Sequence, residues 1–389
     1  MKNILKFILS TLIGALIGGA LVGGIIFILE GREGMADMMN KVSELPMIDF
    51  LVPILLAFAA MFTAIVLHIV LHEGGHLLMG FATGYRFTSF RIASIAFIRR
   101  EGRTRVRRYK LAGTGGQCLM SPPEMPTERV PFFWYNAGGV LMNVVFALLP
   151  LALLMTCDLS MWWAELCMMM VIVGLFLAVM NGIPLRPGGM QNDGMNILML
   201  YRTPEKRKDF VRQLQIAAAA TEGKRVSEMP AEWFDCDTVD DYKDFLRLAS
   251  RLNHQARLID EERFLEAHSV VEDLLLHFDE LPQLVQFELA GEYVFTELLT
   301  TNRNEIIEKY WTKKQADYVS LSARFSSGKQ RILFAYALFA EKDWDKAQQI
   351  YHDTLTRQDD YLIAGEVRGD LSLMKNLLEK YDEASFTNS

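Results

Sequence analysis

Four apolar stretches constrain this chain more than any other feature of its sequence. A helix needs about 20 consecutive apolar residues to cross the hydrocarbon core of a bilayer, and each stretch is long enough. They occupy residues 4–29, 48–79, 131–156 and 161–185. Backbone groups that cross a bilayer must be paired within the protein, so these segments should be helical. The sequence therefore predicts a polytopic α-helical membrane protein with about four transmembrane helices.

The first stretch has a second interpretation, because Lys2 and Lys6 precede it as they would in a secretory signal peptide. The run is long for the apolar part of such a signal, and no small-x-small cleavage site followed by a secreted domain is evident. We therefore predict that residues 4–29 form a helix that stays in the mature chain.

A basic loop sets the predicted orientation. Residues 86–110 hold eight arginines and one lysine, whereas the connections at 31–47 and 157–160 are short and not basic. Basic loops remain on the cytoplasmic side, so the N-terminus and the C-terminal half should also be cytoplasmic. We predict a multi-pass protein of the cell membrane, in contact with the lipid bilayer.

Composition divides the chain into three parts. Residues 1–47 form the N-terminal helix and an external loop, residues 48–198 a membrane core, and residues 199–389 a cytoplasmic domain. From residue 196 onward the chain carries 25 Lys and Arg against 35 Asp and Glu. This excess of negative charge argues against nucleic acid as a partner.

The cytoplasmic part consists of successive amphipathic patterns, which predict an all-α helical-repeat domain. Segments 245–275 and 331–355 each contain a helix, a short polar turn, and an aromatic residue followed three positions later by alanine. These pairs are Phe264 with Ala267 and Trp344 with Ala347. The pattern is similar to tetratricopeptide-type helix pairs. Such a domain could dock a protein partner, or it could be a stabilising cap.

A polar motif interrupts the second apolar stretch at residues 72–76. His72 and His76 lie four residues apart, so on a helix they share one face, about 6 Å apart along the axis. Both imidazoles can reach one Zn²⁺ ion, and Glu73 can accept a proton from a water that the metal makes acidic. An unpaired Glu at that depth would cost several kcal/mol. We therefore predict a catalytic zinc site.

Two further residues bear on this site. His68 lies one turn before His72 on the same face, but about 12 Å along the axis from His76, too far for one tetrahedral zinc. His68 should therefore support a ligand or line the substrate cavity. Catalytic zinc usually takes three protein ligands, and Asp193 follows the fourth stretch on the predicted cytoplasmic side. The alternative is that Asp193 belongs to a surface turn.

Taken together, these motifs resemble those of the site-2 protease family of intramembrane zinc metalloproteases. The motifs are His72-Glu73-Gly74-Gly75-His76, Gly139-Val140-Leu141-Met142-Asn143, Asn181-Gly182-Ile183-Pro184 and Asp193-Gly194. The chain departs from the family in having Val140 where proline is usual and a longer segment between Asn181 and Asp193. The resemblance covers residues 48–198, contains no PDZ-like insert, and does not reach the C-terminal half.

The resemblance implies a role for each matching residue. It implies that His72, His76 and Asp193 are zinc ligands and that Glu73 is the general base. It also implies that Asn143 and Asn181 hold or gate the substrate.

The loop between the second and third stretches is prone to β structure. Residues 85–120 alternate in part between apolar and polar side chains, which predicts short hairpin strands at the membrane surface. A protease must hold its substrate extended, and an edge strand can do this by β-augmentation. Gly115 and Gly116 would permit close approach of a substrate backbone. The alternative is a flexible loop.

Three functional hypotheses follow. The resemblance implies a protease that cuts membrane-spanning proteins or peptides near the cytoplasmic side, in regulated intramembrane proteolysis or in signal-peptide clearance. A non-catalytic, zinc-stabilised membrane scaffold with a partner-binding helical domain is the alternative, and in it Glu73 would be dispensable. A metal transporter with His68, His72 and His76 as successive sites ranks last, because the other stretches offer few polar residues.

Overall fold

The computed structural model describes residues 31–34, 36, 40, 46–100, 102–109, 115–236, 242 and 244–387. The predicted helix at residues 4–29 lies outside them. The described part of the chain is mostly helical and contains one small antiparallel sheet, which confirms the coarse fold prediction.

Three long apolar helices form the core of the structure. They are α1 (Met47–Ala82), α2 (Phe132–Thr156) and α3 (Met161–Gly182). Each is long and apolar enough to cross a membrane, and each packs against the other two. Their bounds agree with the second, third and fourth apolar stretches of the sequence.

Glycines determine how closely α1 and α2 approach each other. A Cβ atom on Gly75 would overlap the carbonyl oxygen of Gly138, and a Cβ on Gly138 would overlap the carbonyl oxygen of Gly75. Helices within a bilayer associate through close packing rather than the hydrophobic effect, so small residues at their crossing let the backbones touch. This contact brings the polar motif of α1 against the first half of α2.

The loop between α1 and α2 forms a four-stranded antiparallel sheet. Its strands are β1 (Arg86–Ile92), β2 (Ile95–Arg100), β3 (Arg103–Arg108) and β4 (Gly116–Ser121), in the spatial order β3-β2-β1-β4. The prediction of hairpin strands at residues 85–120 is therefore confirmed. Strand β4 forms one edge of the sheet and packs against the end of α1, where the Met120 side chain fills the space beside Gly80.

The remaining chain is helical. Its α-helices are α4 (Asp193–Arg202), α5 (Lys206–Glu222), α6 (Phe245–Asp260), α7 (Phe264–Leu275), α8 (Gln283–Leu299), α9 (Asn304–Tyr310), α10 (Lys313–Ser322), α11 (Ser327–Ala335), α12 (Trp344–Thr356) and α13 (Ala364–Thr387). A π-helical turn, Tyr336–Ala340, follows α11, and short 3-10 turns occur at Thr127–Arg129, Pro187–Gly189, Val226–Glu228, Ala231–Trp233, Phe278–Glu280 and Gln358–Asp360.

Helix α5 joins this helical part to the sheet, because it packs against β1, β2 and β4. Phe210 and Val211 of α5 share a buried cluster with Met120 of β4. A second link joins the sheet to the helical part. Arg100 of β2 donates hydrogen bonds to the backbone carbonyls of Tyr361 and Leu362. The sheet is therefore held between the apolar helices and the helical part.

The adjacent glycines of the polar motif should respond differently to alanine. Gly74 has open space around its Cβ position, and alanine favours a helix over glycine by about 1 kcal/mol. Gly75→Ala would force α1 away from the Gly138 backbone, and overpacking of this kind costs about 1–3 kcal/mol. We expect Gly75→Ala to lower the thermal unfolding temperature of the detergent-purified protein and Gly74→Ala to keep or raise it. Equal unfolding temperatures would contradict this packing.

Candidate metal centre

The structure brings three predicted ligand atoms together. Nε2 of His72 lies 3.2 Å from Nε2 of His76, and Oδ2 of Asp193 lies 3.3 Å and 3.5 Å from these two nitrogens. A tetrahedral metal with ligand distances of roughly 2.0–2.1 Å separates its ligand atoms by about 3.3 Å. The observed spacing therefore fits a small divalent metal bound by two imidazoles and one carboxylate.

Asp193 supplies independent support for this fit. Its Oδ2 is buried and makes no hydrogen bond, although both imidazole nitrogens lie within ion-pair distance of it. Burial raises the pKa of the Asp193 carboxyl, but the adjacent His72 and His76 imidazoles outweigh burial and lower it to about 2. The carboxylate is thus ionised at neutral pH. A buried carboxylate oxygen without a hydrogen bond is costly, and a bound cation would satisfy it.

The ring of His76 is oriented by a hydrogen bond at Nδ1, the ring nitrogen that faces away from the other ligand atoms. Its Nδ1 donates a hydrogen bond to the backbone carbonyl of Tyr135 at 2.7 Å, which leaves the lone pair on Nε2 directed at the centre. Tyr135 is itself fixed, because its hydroxyl donates to the Cys118 carbonyl and its ring stacks on Tyr85. Sequence reasoning missed Tyr135, since a backbone carbonyl leaves no side-chain signal.

Glu73 lies between the ligand atoms and strand β4. A Cβ on Gly116 would come within 2.6 Å of the Glu73 Cγ, so glycine is needed where this strand meets the carboxylate. The backbone amide of Cys118 interacts with the Glu73 carboxylate, and His76 and His72 are its electrostatic neighbours. Glu73 is therefore a carboxylate beside the candidate ligands that is not itself part of the ligand group.

Of the two predicted glycines on the sheet, Gly116 contacts the site directly. Gly115 instead packs beside Ile69, whose Cδ1 would lie 3.0 Å from a Cβ placed there. Both glycines lie where the sheet approaches α1. The absence of their side chains lets the backbone of the sheet lie close to Ile69 and Glu73.

Asn192 fixes the segment that carries Asp193. Its amide nitrogen donates to the carbonyls of Met180 and Ile183, both at 2.7 Å, and its oxygen accepts from the amides of Leu185 and Met195. Asn192 therefore caps α4 and ties its first turn to the end of α3. Gly194 adds a close contact, because a Cβ there would overlap the Gly182 carbonyl oxygen.

Asn196 forms a further link, because its amide nitrogen donates to Oδ1 of the buried Asn136 at 3.2 Å. Asn192 and Asn196 thus both help to hold the chain around Asp193. Asn181, which the sequence suggested as a substrate contact, donates instead to the Leu177 carbonyl one turn earlier in α3.

His68 and Asn143 are both fully buried behind the ligand atoms. The Asn143 amide lies between Nδ1 of His68 and Nδ1 of His72, at 3.2 Å and 3.1 Å. This position places both residues next to a candidate ligand rather than at an exposed surface of the cavity. His68 is not part of the group of ligand atoms that His72, His76 and Asp193 form in the described part of the chain.

Comparison with known proteins gives no relative for this chain: no protein-family model, curated protein or solved structure matches it. The chemistry of the site therefore rests on its own residues.

The two asparagines that flank the 182–191 segment should differ in their effect on metal binding. Asn192→Ala removes four hydrogen bonds that hold Asp193 in place, so it should weaken zinc binding by the 10- to 100-fold typical of residues that orient a metal ligand. Asn181→Ala removes one bond within α3 and should leave the zinc dissociation constant nearly unchanged. Chelator competition on the purified variants measures both, and equal effects would contradict the role given to Asn192.

Proposed function

We propose that this chain is an intramembrane zinc metalloprotease of the site-2 protease type, a metalloendopeptidase that hydrolyses peptide bonds of membrane-spanning substrates near the cytoplasmic side. The convergence of His72 Nε2, His76 Nε2 and Asp193 Oδ2, with Glu73 beside them, carries the proposal. This cluster lies near the end of an apolar helix, where ionisable side chains are retained for function rather than stability.

His72, His76 and Asp193 would hold the metal. Zinc suits two imidazoles and one carboxylate at tetrahedral spacing, and three protein ligands leave a position for water or substrate. When bound, zinc supplies Lewis acidity, which polarises a carbonyl and makes water a stronger acid near neutral pH.

Glu73 moves the proton in this proposal. Its carboxylate accepts a proton from the water that adds to the scissile carbonyl, so that a C–O bond forms. It then delivers this proton to the amide nitrogen as the C–N bond breaks. The contact with the Cys118 backbone amide keeps the carboxylate at the side of β4, where a bound peptide bond would lie.

The substrate backbone would be held by strand β4. Within the described part of the chain this strand pairs only with β1, so its other edge can accept an extended peptide by β-augmentation. A helical substrate hides its peptide carbonyls, and unwinding it onto an edge strand exposes them. Gly116 lets β4 itself lie close to Glu73, so a peptide added to β4 would be brought near this carboxylate.

The apolar helices would cross the membrane, together with the predicted helix at residues 4–29. Large apolar side chains on the outside of α1 support this disposition, since Leu55 and Phe62 are 64% and 69% exposed in the protein alone. The sheet carries the basic loop and joins the helical part, so both would lie on the cytoplasmic side. The cell membrane is the proposed location.

The helical part would be a tetratricopeptide-like repeat domain that docks a protein partner or the tail of a substrate. Ala267 and Ala347 of the two similar segments are both fully buried, and partly buried Phe264 and Trp344 pack against the same core. This arrangement is expected where a small residue lets paired helices approach and an aromatic residue fills the groove.

Zinc content and cleavage together test the proposal. We expect about one zinc per chain in the wild type, its loss in His72→Ala, weaker binding in Asp193→Ala, and full retention in Glu73→Gln. A panel of fluorescent single-span peptides in detergent micelles should yield new termini by mass spectrometry with the wild type only.

The matched comparison is wild type against Glu73→Gln, because both should hold zinc. Equal cleavage by the two proteins would overturn the role of Glu73. Zinc binding by both proteins, with peptides left intact by both, would favour the non-catalytic scaffold.

A further inference from the structure

A continuous chain of buried polar contacts runs from α3 to the metal centre. It begins at the Met170 carbonyl, which lies 2.9 Å from Nε2 of His68. Nδ1 of His68 lies 3.2 Å from Oδ1 of Asn143, and Nδ2 of Asn143 lies 3.1 Å from Nδ1 of His72. His68 and Asn143 have no exposed surface. The chain therefore links all three apolar helices behind one candidate ligand.

We infer that His68 is a positioning residue that acts through Asn143 to hold His72 in the tautomer whose Nε2 can bind metal. This inference rests on the proposed metal centre and goes beyond it. His68 takes no part in ligation or proton transfer.

The location of each proton in this series of contacts follows from its first member, the Met170 carbonyl. The Met170 carbonyl can only accept a hydrogen bond, so the neutral His68 ring must carry its proton on Nε2. Nδ1 of His68 is then an acceptor, and the Asn143 amide must direct its NH₂ group toward it. The amide oxygen of Asn143 is thereby left to face His72.

This arrangement selects the tautomer that His72 needs. An imidazole that binds metal through Nε2 carries its proton on Nδ1, and that N–H requires an acceptor. The Asn143 oxygen is such an acceptor. Every donor in this series of contacts then meets an acceptor, as buried polar groups require.

The opposite orientation of the amide, which the structure shows, has different consequences. With Nδ2 of Asn143 toward His72, the amide donates to the Nδ1 of that ring, so the His72 proton moves to Nε2 and blocks metal binding. The His68 proton then lies toward the amide oxygen, and its Nε2 lone pair faces the Met170 carbonyl. The amide nitrogen and oxygen are alike in size, so both orientations of Asn143 fit the same heavy-atom positions, and the hydrogen-bond partners decide between them.

The imidazole rings of His68 and His72 each pack against a glycine of a neighbouring helix. A Cβ on Gly139 of α2 would lie 2.5 Å from Cε1 of His72, and a Cβ on Gly174 of α3 would lie 2.5 Å from Cε1 of His68. Each ring thus packs directly on the backbone of a neighbouring helix. The rings are therefore restrained from turning away from Asn143.

Zinc affinity, measured by chelator competition on the detergent-purified chain, tests the inference. His68→Leu should weaken binding by about 10- to 100-fold, the range for residues that orient a metal ligand. His68→Asn, which places an amide oxygen where Nδ1 accepts from Asn143, should restore most of the affinity. His268→Leu is the matched control, because His268 is also buried but bonds to Thr296 in the helical part, and it should bind zinc like the wild type.

A double variant separates positioning from simple loss of packing. Asn143→Asp gives His72 a carboxylate acceptor that needs no orientation by His68. In this background His68→Leu should reduce zinc affinity by less than about threefold. The same substitution in the wild type should reduce it by about 10- to 100-fold. A structural role for His68 alone would give the same loss in both backgrounds.

The outcomes are distinct. Wild-type affinity in His68→Leu, or an equal loss with and without Asn143→Asp, would overturn the positioning role while leaving the metal centre in place. Absence of zinc from the wild type would overturn the proposed metal centre, and the inference with it.

Discussion

The backbone contact between α1 and α2 at Gly75 and Gly138 is the constraint on which the rest of the site depends. Only glycine allows two helices to touch in this way. The contact brings the polar face of α1 close to the backbone of α2. The Tyr135 carbonyl therefore reaches His76, and the Asn143 amide reaches His72. A wider separation would remove both partners and leave two imidazoles free to rotate.

Each imidazole of the candidate centre is held by a polar partner on a neighbouring helix. His76 is matched by a backbone carbonyl, and His72 is matched through Asn143 and His68. The Asp193 Oδ2, at the start of α4, is buried beside both imidazoles without a hydrogen bond. Buried polar atoms are usually satisfied, and a cation held by His72, His76 and Asp193 would satisfy this oxygen. In the proposed function, Glu73 would carry the proton and the edge strand β4 would hold an extended substrate backbone.

The local features of this site could be predicted from the sequence, and the long-range ones only in part. The spacing of His72, Glu73 and His76 is a property of a single helix, and so is the exclusion of His68 as a partner of His76 on one metal. Asp193 could be anticipated because the topology returns its segment to the same side. The carbonyls of Tyr135 and Met170 could not, since any residue can offer a backbone oxygen and only the packing of three helices selects which one. The predicted hairpins formed, but the return of β4 beside β1 depends on contacts that no local pattern encodes.

X-ray absorption spectroscopy at the zinc edge of the purified chain tests the central claim most directly, because it reads the metal and its ligands without a substrate. The account predicts a zinc signal with two imidazole nitrogens and oxygen ligands at roughly 2.0–2.1 Å. In Asp193→Ala one oxygen should be lost or replaced by water while both imidazoles remain. A metal-free protein, or a zinc shell without the two imidazoles, would contradict the account.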